Sequence, residues 1–249
     1  MKERHKSHGI GKTILIIVLV ILLLAGAGYF TYVYFQVEDI RVEGNSAFST
    51  GDIAKLADVP PKTHMFFVKT DEIEEKIEAE PHLEVVSIEK QYPKTLVVKI
   101  IERIPEAVTN YADQFLLLDI NANVMEMGTE KQQGTYPLVT GLAIDAVNIG
   151  KQIATQDEFK VTVYTELMTA LKEKEIKDVM ATIDFSDINN IKLITNDGLT
   201  IKFGQADKIT DKVKMIKKMI PKLAASGDMT GVLDVTMGIS ATYQLNEGA

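Results

Sequence analysis

Residues 13–35, TILIIVLVILLLAGAGYFTYVYF, contain no charged side chain. A helix rising about 1.5 Å per residue carries such a run about 34 Å, enough to cross a hydrocarbon layer of about 30 Å. The run divides the chain into a stub (1–12), a candidate transmembrane helix (13–35) and a large polar remainder. Lys2, Arg4, Lys6 and Lys12 face only Glu3 in the stub, a formal +3; with −8 over the whole chain, residues 36–249 carry −11. Basic residues beside a first span are retained in the cytoplasm. The expectation is a single-pass type II protein of the cell membrane, N-terminus inside and bulk outside. Ala25-Gly26-Ala27 has the small-x-small form of a signal-peptidase site. Against cleavage, the apolar run continues to Phe35, and its aromatics (Tyr29, Phe30, Tyr32, Tyr34, Phe35) suit the headgroup level. A mature chain beginning at Gly28 would mean a signal peptide instead.

Composition excludes several classes of function. A charge of −11 lacks the clustered Lys and Arg that nucleic-acid binding needs. Without cysteine there are no disulfides, thiolate nucleophiles or thiolate metal sites. His5, His8, His64 and His82 show no metal-ligand spacing, and there is no glycine-rich phosphate loop. No cofactor, metal, small-molecule substrate or catalytic residue is expected. Two motifs imitate chemistry. Ser87-Ile-Glu-Lys90 has the Ser-x-x-Lys form of penicillin-binding enzymes, but the local pattern is a strand, where positions three apart point to opposite faces. Asp119-x-Asn121-x-Asn123 with Glu130 imitates a calcium loop, yet Val124 occupies the position that needs glycine. A polar turn is the simpler reading.

After the span, the pattern predicts β-α-α-β-β over residues 36–104. Alternation over 37–43 ends at Gly44-Asn45, Ser49-x-x-Asp52 opens a helix, and Pro60-Pro61 stops it. Thr70 is expected to cap a second helix whose core residues are Ile73 and Ile77, ending before Pro81. Strands over 84–90 and 95–102 are joined through Tyr92-Pro93-Lys94. Glu102-Arg103-Ile104-Pro105 breaks the pattern and marks a boundary. Over 105–245 a β-rich domain follows, with strands at 107–111, 114–118, 123–127, 137–139, 179–184, 191–195, 199–203, 232–236 and 240–245. Its two long helices cover 155–174 (core Phe159, Val163, Leu167, Ala170, Leu171) and 208–225 (core Ile209, Val213, Ile216, Ile220, Leu223). Pro221 should bend the second or end it early. Residues 246–249 form a tail. The fold class is a single N-terminal transmembrane helix followed by an α+β region.

A span followed at once by Val42-Glu43-Gly44-Asn45, then Pro81-His82-Leu83, Tyr92-Pro93-Lys94-Thr95-Leu96 and Glu102-Arg103-x-Pro105, resembles the FtsQ/DivIB family of bacterial division proteins. The later FLLLDINANVM and YPLVTG extend the resemblance over nearly the whole chain. It implies that residues 36–104 are a POTRA domain. It also implies a non-enzymatic scaffold at the division septum, binding FtsL-like and DivIC/FtsB-like proteins in the complex that controls wall synthesis. The runner-up is an accessory wall hydrolase or transpeptidase with a cryptic site. A last strand at 240–245 could lie at a sheet edge, open to a partner strand. By similarity the candidate contacts are Val232, Val235, Ser240, Thr242, Tyr243 and Leu245, with Tyr243 as aromatic anchor. Lys214 and Lys218, in step with Lys222 and beside Lys217, are either a solvated helix face or a docking stripe for an acidic segment.

Overall fold

The structure, a computed structural model, describes residues 8–128 and 135–245 of the 249-residue chain. Stub residues 1–7, Glu130 of the calcium-like motif and the tail 246–249 lie outside the described residues. The chain forms two compact units, one ending at Glu102 and the next beginning at Arg103, with Glu80–His82 counted in the second.

The first unit opens with α1 (His8–Tyr34), an uninterrupted helix whose stretch Gly11–Tyr34, charged only at Lys12, is long and apolar enough to cross a membrane, with none of it buried. Then come β1 (Asp39–Glu43), α2 (Thr50–Ala57), a 3-10 turn (Met65–Phe67), α3 (Thr70–Glu78), β2 (Leu83–Gln91) and β3 (Thr95–Glu102). The strands order as β1-β3-β2, with β1 parallel and β2 antiparallel to the central β3. Strict alternation in β3 puts Leu96, Val98 and Ile100 on one face, where they meet Ile53 and Ala57 of α2, Met65, and Ile73 and Ile77 of α3 in one core.

Ser49 caps α2 as expected, accepting the Asp52 N–H at 3.2 Å. Thr70 does not cap α3. The cap position is Lys69, which makes no side-chain capping bond, and the Thr70 hydroxyl instead meets Asp71 at 3.3 Å. Buried Val68, whose carbonyl accepts from Lys90 Nζ at 2.7 Å, fixes the approach so that Thr70 is already helical.

Two of the sequence motifs meet in this unit. The Glu102 carboxylate accepts the backbone N–H groups of Ser46, Ala47 and Phe48 at 2.7–3.0 Å, and the Ser46 hydroxyl. Gly44, at φ +92°, lets the loop turn under it, since a Cβ there would lie 2.1 Å from the Ile100 carbonyl oxygen.

Among the described residues, the second unit is built on a nine-stranded mixed sheet ordered β12-β11-β10-β9-β8-β7-β4-β5-β6. In chain order these are β4 (Ala107–Tyr111), β5 (Gln114–Leu118), β6 (Val124–Gly128), β7 (Leu138–Thr140), β8 (Met180–Asp184), β9 (Ile191–Thr195), β10 (Thr200–Gly204), β11 (Val232–Asp234) and β12 (Thr242–Gln244). Helices α4 (Glu158–Glu173) and α5 (Ile209–Ser226) supply Tyr164, Leu167, Leu171, Val213 and Ile216 to the main core. Val108, Leu117 and Met125 form a smaller cluster.

Both long helices correct the expectations. Phe159 is 58% exposed rather than core. It lies five residues before the fully buried Tyr164, about 140° around the helix at 100° per residue. Pro221 does not end α5 early: the helix runs on to Ser226 and is capped by Gly227 at φ +79°. Pro221 faces solvent, so the carbonyl it leaves without an intrahelical donor is open to water, while Leu223 beyond it is buried and holds the last turn down. Two buried charges were also unforeseen. Lys212 is fully enclosed, reaching the Gln205 carbonyl at 2.8 Å and the Asp207 carboxylate, 5.0 Å from the Phe203 ring centre. Glu106 is buried between Lys172 and Lys177.

Candidate partner-binding edge

The last two strands sit at one end of the large sheet. β11 pairs in parallel with β10 (Thr200↔Val232 to Lys202↔Asp234) and antiparallel with β12 (Val232↔Gln244, Leu233↔Tyr243, Asp234↔Thr242). β12 ends the strand order, so among the described residues no strand pairs with its outer side. Alternate N–H and C=O groups of an edge strand point outward and can form a ladder with another chain.

The turn between them is well defined. The Asp234 carboxylate accepts the Thr236 hydroxyl and N–H at 2.7 and 3.0 Å, and these bonds hold its pKa below the usual carboxylate value. The Gly238 N–H donates to the Val235 carbonyl at 2.9 Å. On this fixed turn, Met237 and Ile239 are 63% and 78% exposed, and Leu245 follows β12 equally open.

Tyr243 turns inward. It stands opposite fully buried Leu233 and packs on the main core over Gly231, where a Cβ would come within 2.4 Å of the tyrosine hydroxyl and of the Gln244 carbonyl oxygen. That hydroxyl has no hydrogen-bond partner among the described residues; the Gly231 N–H lies beside it without reaching hydrogen-bond geometry.

Of the residues nominated from the sequence, Ser240, Thr242 and Leu245 are exposed, and Val232 and Tyr243 are half-buried. Val235 is fully buried, so its side chain belongs to the core and presents nothing to a partner. Met237 and Ile239 lie inside the nominated stretch 232–245 but were not singled out in it. Their signal was two large apolar residues flanking a turn glycine, where polar residues are the rule. Lys214 and Lys218 are exposed on α5; Lys214 pairs with Asp211 at 3.3 Å and neighbouring Lys217 with Glu175 at 3.3 Å, so the stripe is partly neutralised. The side chains packed near Gly238 are those of Lys208 and Lys212, at the start of α5.

The enzyme-like motifs resolve into structural roles. Ser87 and Lys90 lie in β2, and Lys90 Nζ is committed to the Val68 carbonyl. Asp119 is a turn residue: its carboxylate accepts the Asn121 and Asn123 N–H groups at 2.8 Å and Asn123 Nδ2 at 2.7 Å.

A family described as the FtsQ-type POTRA domain matches residues 35–103, and one described as the C-terminal region of cell division protein FtsQ/DivIB matches residues 107–236. The second match stops short of β12. Among curated relatives, cell division protein FtsQ of Syntrophotalea carbinolica is 24% identical over 232 residues, 93% of this chain and 81% of that one. Cell division protein DivIB of Clostridium botulinum (strain Hall) is 22% identical over 236 residues, 95% of this chain and 91% of that one. The solved major extracytoplasmic domain of DivIB from Geobacillus stearothermophilus is 16% identical and covers 51% of this chain and 95% of its own, at a TM-score of 0.33, too low to add to the family matches.

Proposed function

The chain belongs to the FtsQ/DivIB family of cell division proteins, and on that premise we propose that it is a non-enzymatic, membrane-anchored scaffold of the septal complex whose β12 edge receives a strand from an FtsL-like or DivIC/FtsB-like partner. A role in cell division follows from the family. The partner, the edge and the type II orientation are the proposal.

One observation carries it: β12 is three residues long, ends the sheet, and is flanked by the exposed apolar side chains Met237, Ile239 and Leu245. Backbone groups on the open side would supply affinity, and the apolar flank would supply burial and selectivity. The inward Tyr243 ties the strand to the core, so a strand added outside has a firm template. Assembly on an edge needs no catalytic group; the Lys90 ammonium is held by the Val68 carbonyl and the Asp119 carboxylate by the Asn121 and Asn123 amides.

Photo-crosslinkers placed at Thr242 and Leu245 in dividing cells test this directly. Crosslinks to FtsL- or DivIC-like proteins are expected, together with septal enrichment of the full chain. Thr242→Pro, which removes an N–H from the β12–β11 ladder that holds the open edge in place, should reduce partner capture at least about tenfold, the loss of an interface hot spot. Capture undiminished in that variant would place the contact elsewhere.

A further inference from the structure

The proposed function makes no use of a band of aromatic rings in the first unit. Phe66, Phe67 and Tyr92 are 57%, 76% and 50% exposed, an unusual cost for a water-facing surface. Their rings are continuous with the end of α1. Tyr32 stacks on His64 at 5.6 Å between centroids, and His64 stacks on Phe66 at 5.4 Å. Phe35 meets both Phe66 at 5.6 Å and Tyr92 at 6.1 Å.

Backbone bonds fix this arrangement. The Phe35 carbonyl accepts the Met65 N–H at 2.7 Å, the Val37 N–H donates to Thr63 O at 2.9 Å, and Gln36 forms an antiparallel bridge with His64. The rings are therefore held beside the last turn of the apolar helix. The Lys94 ammonium, paired with Glu38, lies 5.9 Å from the Tyr34 ring centre, and Lys62 and Lys69, the latter paired with Glu72, are exposed in the same segment as Phe66 and Phe67. Exposed aromatic rings with lysines in the same segment, beside the point where a span ends, are the composition of a bilayer interface.

We propose that Phe66, Phe67 and Tyr92 form a lipid-docking surface that seats the first unit on the headgroup layer of the membrane α1 crosses. The occupant is lipid and not a second protein, because the patch continues the aromatic end of the span through direct ring contacts. The proposal rests on the reading of α1 as a membrane span, and its test separates the two.

The chain contains no tryptophan, so a single introduced one is an unambiguous probe. Leu22→Trp, Phe67→Trp and Phe159→Trp are made separately in the full chain. Each is reconstituted into phosphatidylethanolamine–phosphatidylglycerol vesicles whose acyl chains carry bromine both close to the headgroup and near the bilayer centre. Emission at Leu22→Trp and Phe67→Trp should fall about twofold or more relative to unbrominated vesicles, and that at Phe159→Trp should not change.

Quenching at Leu22→Trp with none at Phe67→Trp overturns the docking surface and leaves the span standing. No quenching at Leu22→Trp removes the span and the docking surface together. To exclude an affinity created by the probe itself, Tyr92→Trp is compared with and without Phe66→Ser and Phe67→Ser. Loss of quenching in the serine background supports the proposal, and unchanged quenching refutes a role for the two phenylalanines.

Discussion

At the residue scale, Glu102 shows how a motif residue can be structural. Its carboxylate gathers the N–H groups of Ser46, Ala47 and Phe48 with the Ser46 hydroxyl, and these bonds lower its pKa from 4.5 to about 2. The Ala47 N–H is the largest contributor, and the Ser46 hydroxyl comes next. A depressed carboxylate stabilises the fold fully above its unfolded pKa, and the contribution is lost as pH falls through the folded value. Glu102 therefore helps hold the first unit above about pH 4.5 and ceases to do so near pH 2. Glu102→Gln keeps the shape and removes the charge. It should cost about 1–3 kcal/mol at neutral pH, the worth of hydrogen bonds to a charged group, and much less near pH 2. Thermal melts at both pH values check this; an equal cost at both would show that the charge is immaterial. Gly44 and Glu102 are far apart in sequence, and only the fold reveals that one makes room for the loop the other binds.

At the element scale, Gly231 and β12 form one device. An alanine at 231 would put a methyl 2.4 Å from the Gln244 carbonyl oxygen, which is backbone and yields only if the strand moves. Gly231→Ala should cost about 1–3 kcal/mol locally, as overpacking does. Amide exchange should accelerate over residues 242–244 and stay near wild type in β9. Exchange unaltered at 242–244 would mean that the strand does not rest on Gly231.

Where alternation or helical spacing is set by one buried face, the elements were legible: the expected β9 coincides with the observed strand, and Leu96, Val98 and Ile100 share a face as read. The misses have physical causes. Apolarity alone does not say which face Phe159 takes. Propensity alone makes Pro221 a breaker, although its place on the wet side of α5 leaves the helix intact. Lys212 falls in step with Val213 and Ile216 of the buried face, yet no pattern rule admits a lysine to a core. The resemblance likewise put Val235 among the docking residues, because likeness to a family marks a stretch and not which of its side chains face the core.

At the scale of the whole molecule, the described residues form two units, each closed around its own hydrophobic cluster, Leu96 with Ile53 in one and Leu118 with Tyr164 in the other. Separate cores predict separate cooperative transitions. Calorimetry of residues 36–245 should resolve two, and Glu102→Gln should lower only one. A single transition moved as a whole would mean that the units unfold together. Without cysteine, neither transition should respond to reducing agents.

The enclosed Tyr243 hydroxyl has an optical consequence. With no tryptophan in the chain, its near-ultraviolet spectrum is a tyrosine and phenylalanine spectrum. A phenol whose ionisation is pushed upward by burial, and that has no acceptor among the described residues, absorbs as a dry chromophore. Any loosening of β12 that lets water reach it will shift that band. The protein thus carries its own dye for the seating of the edge strand.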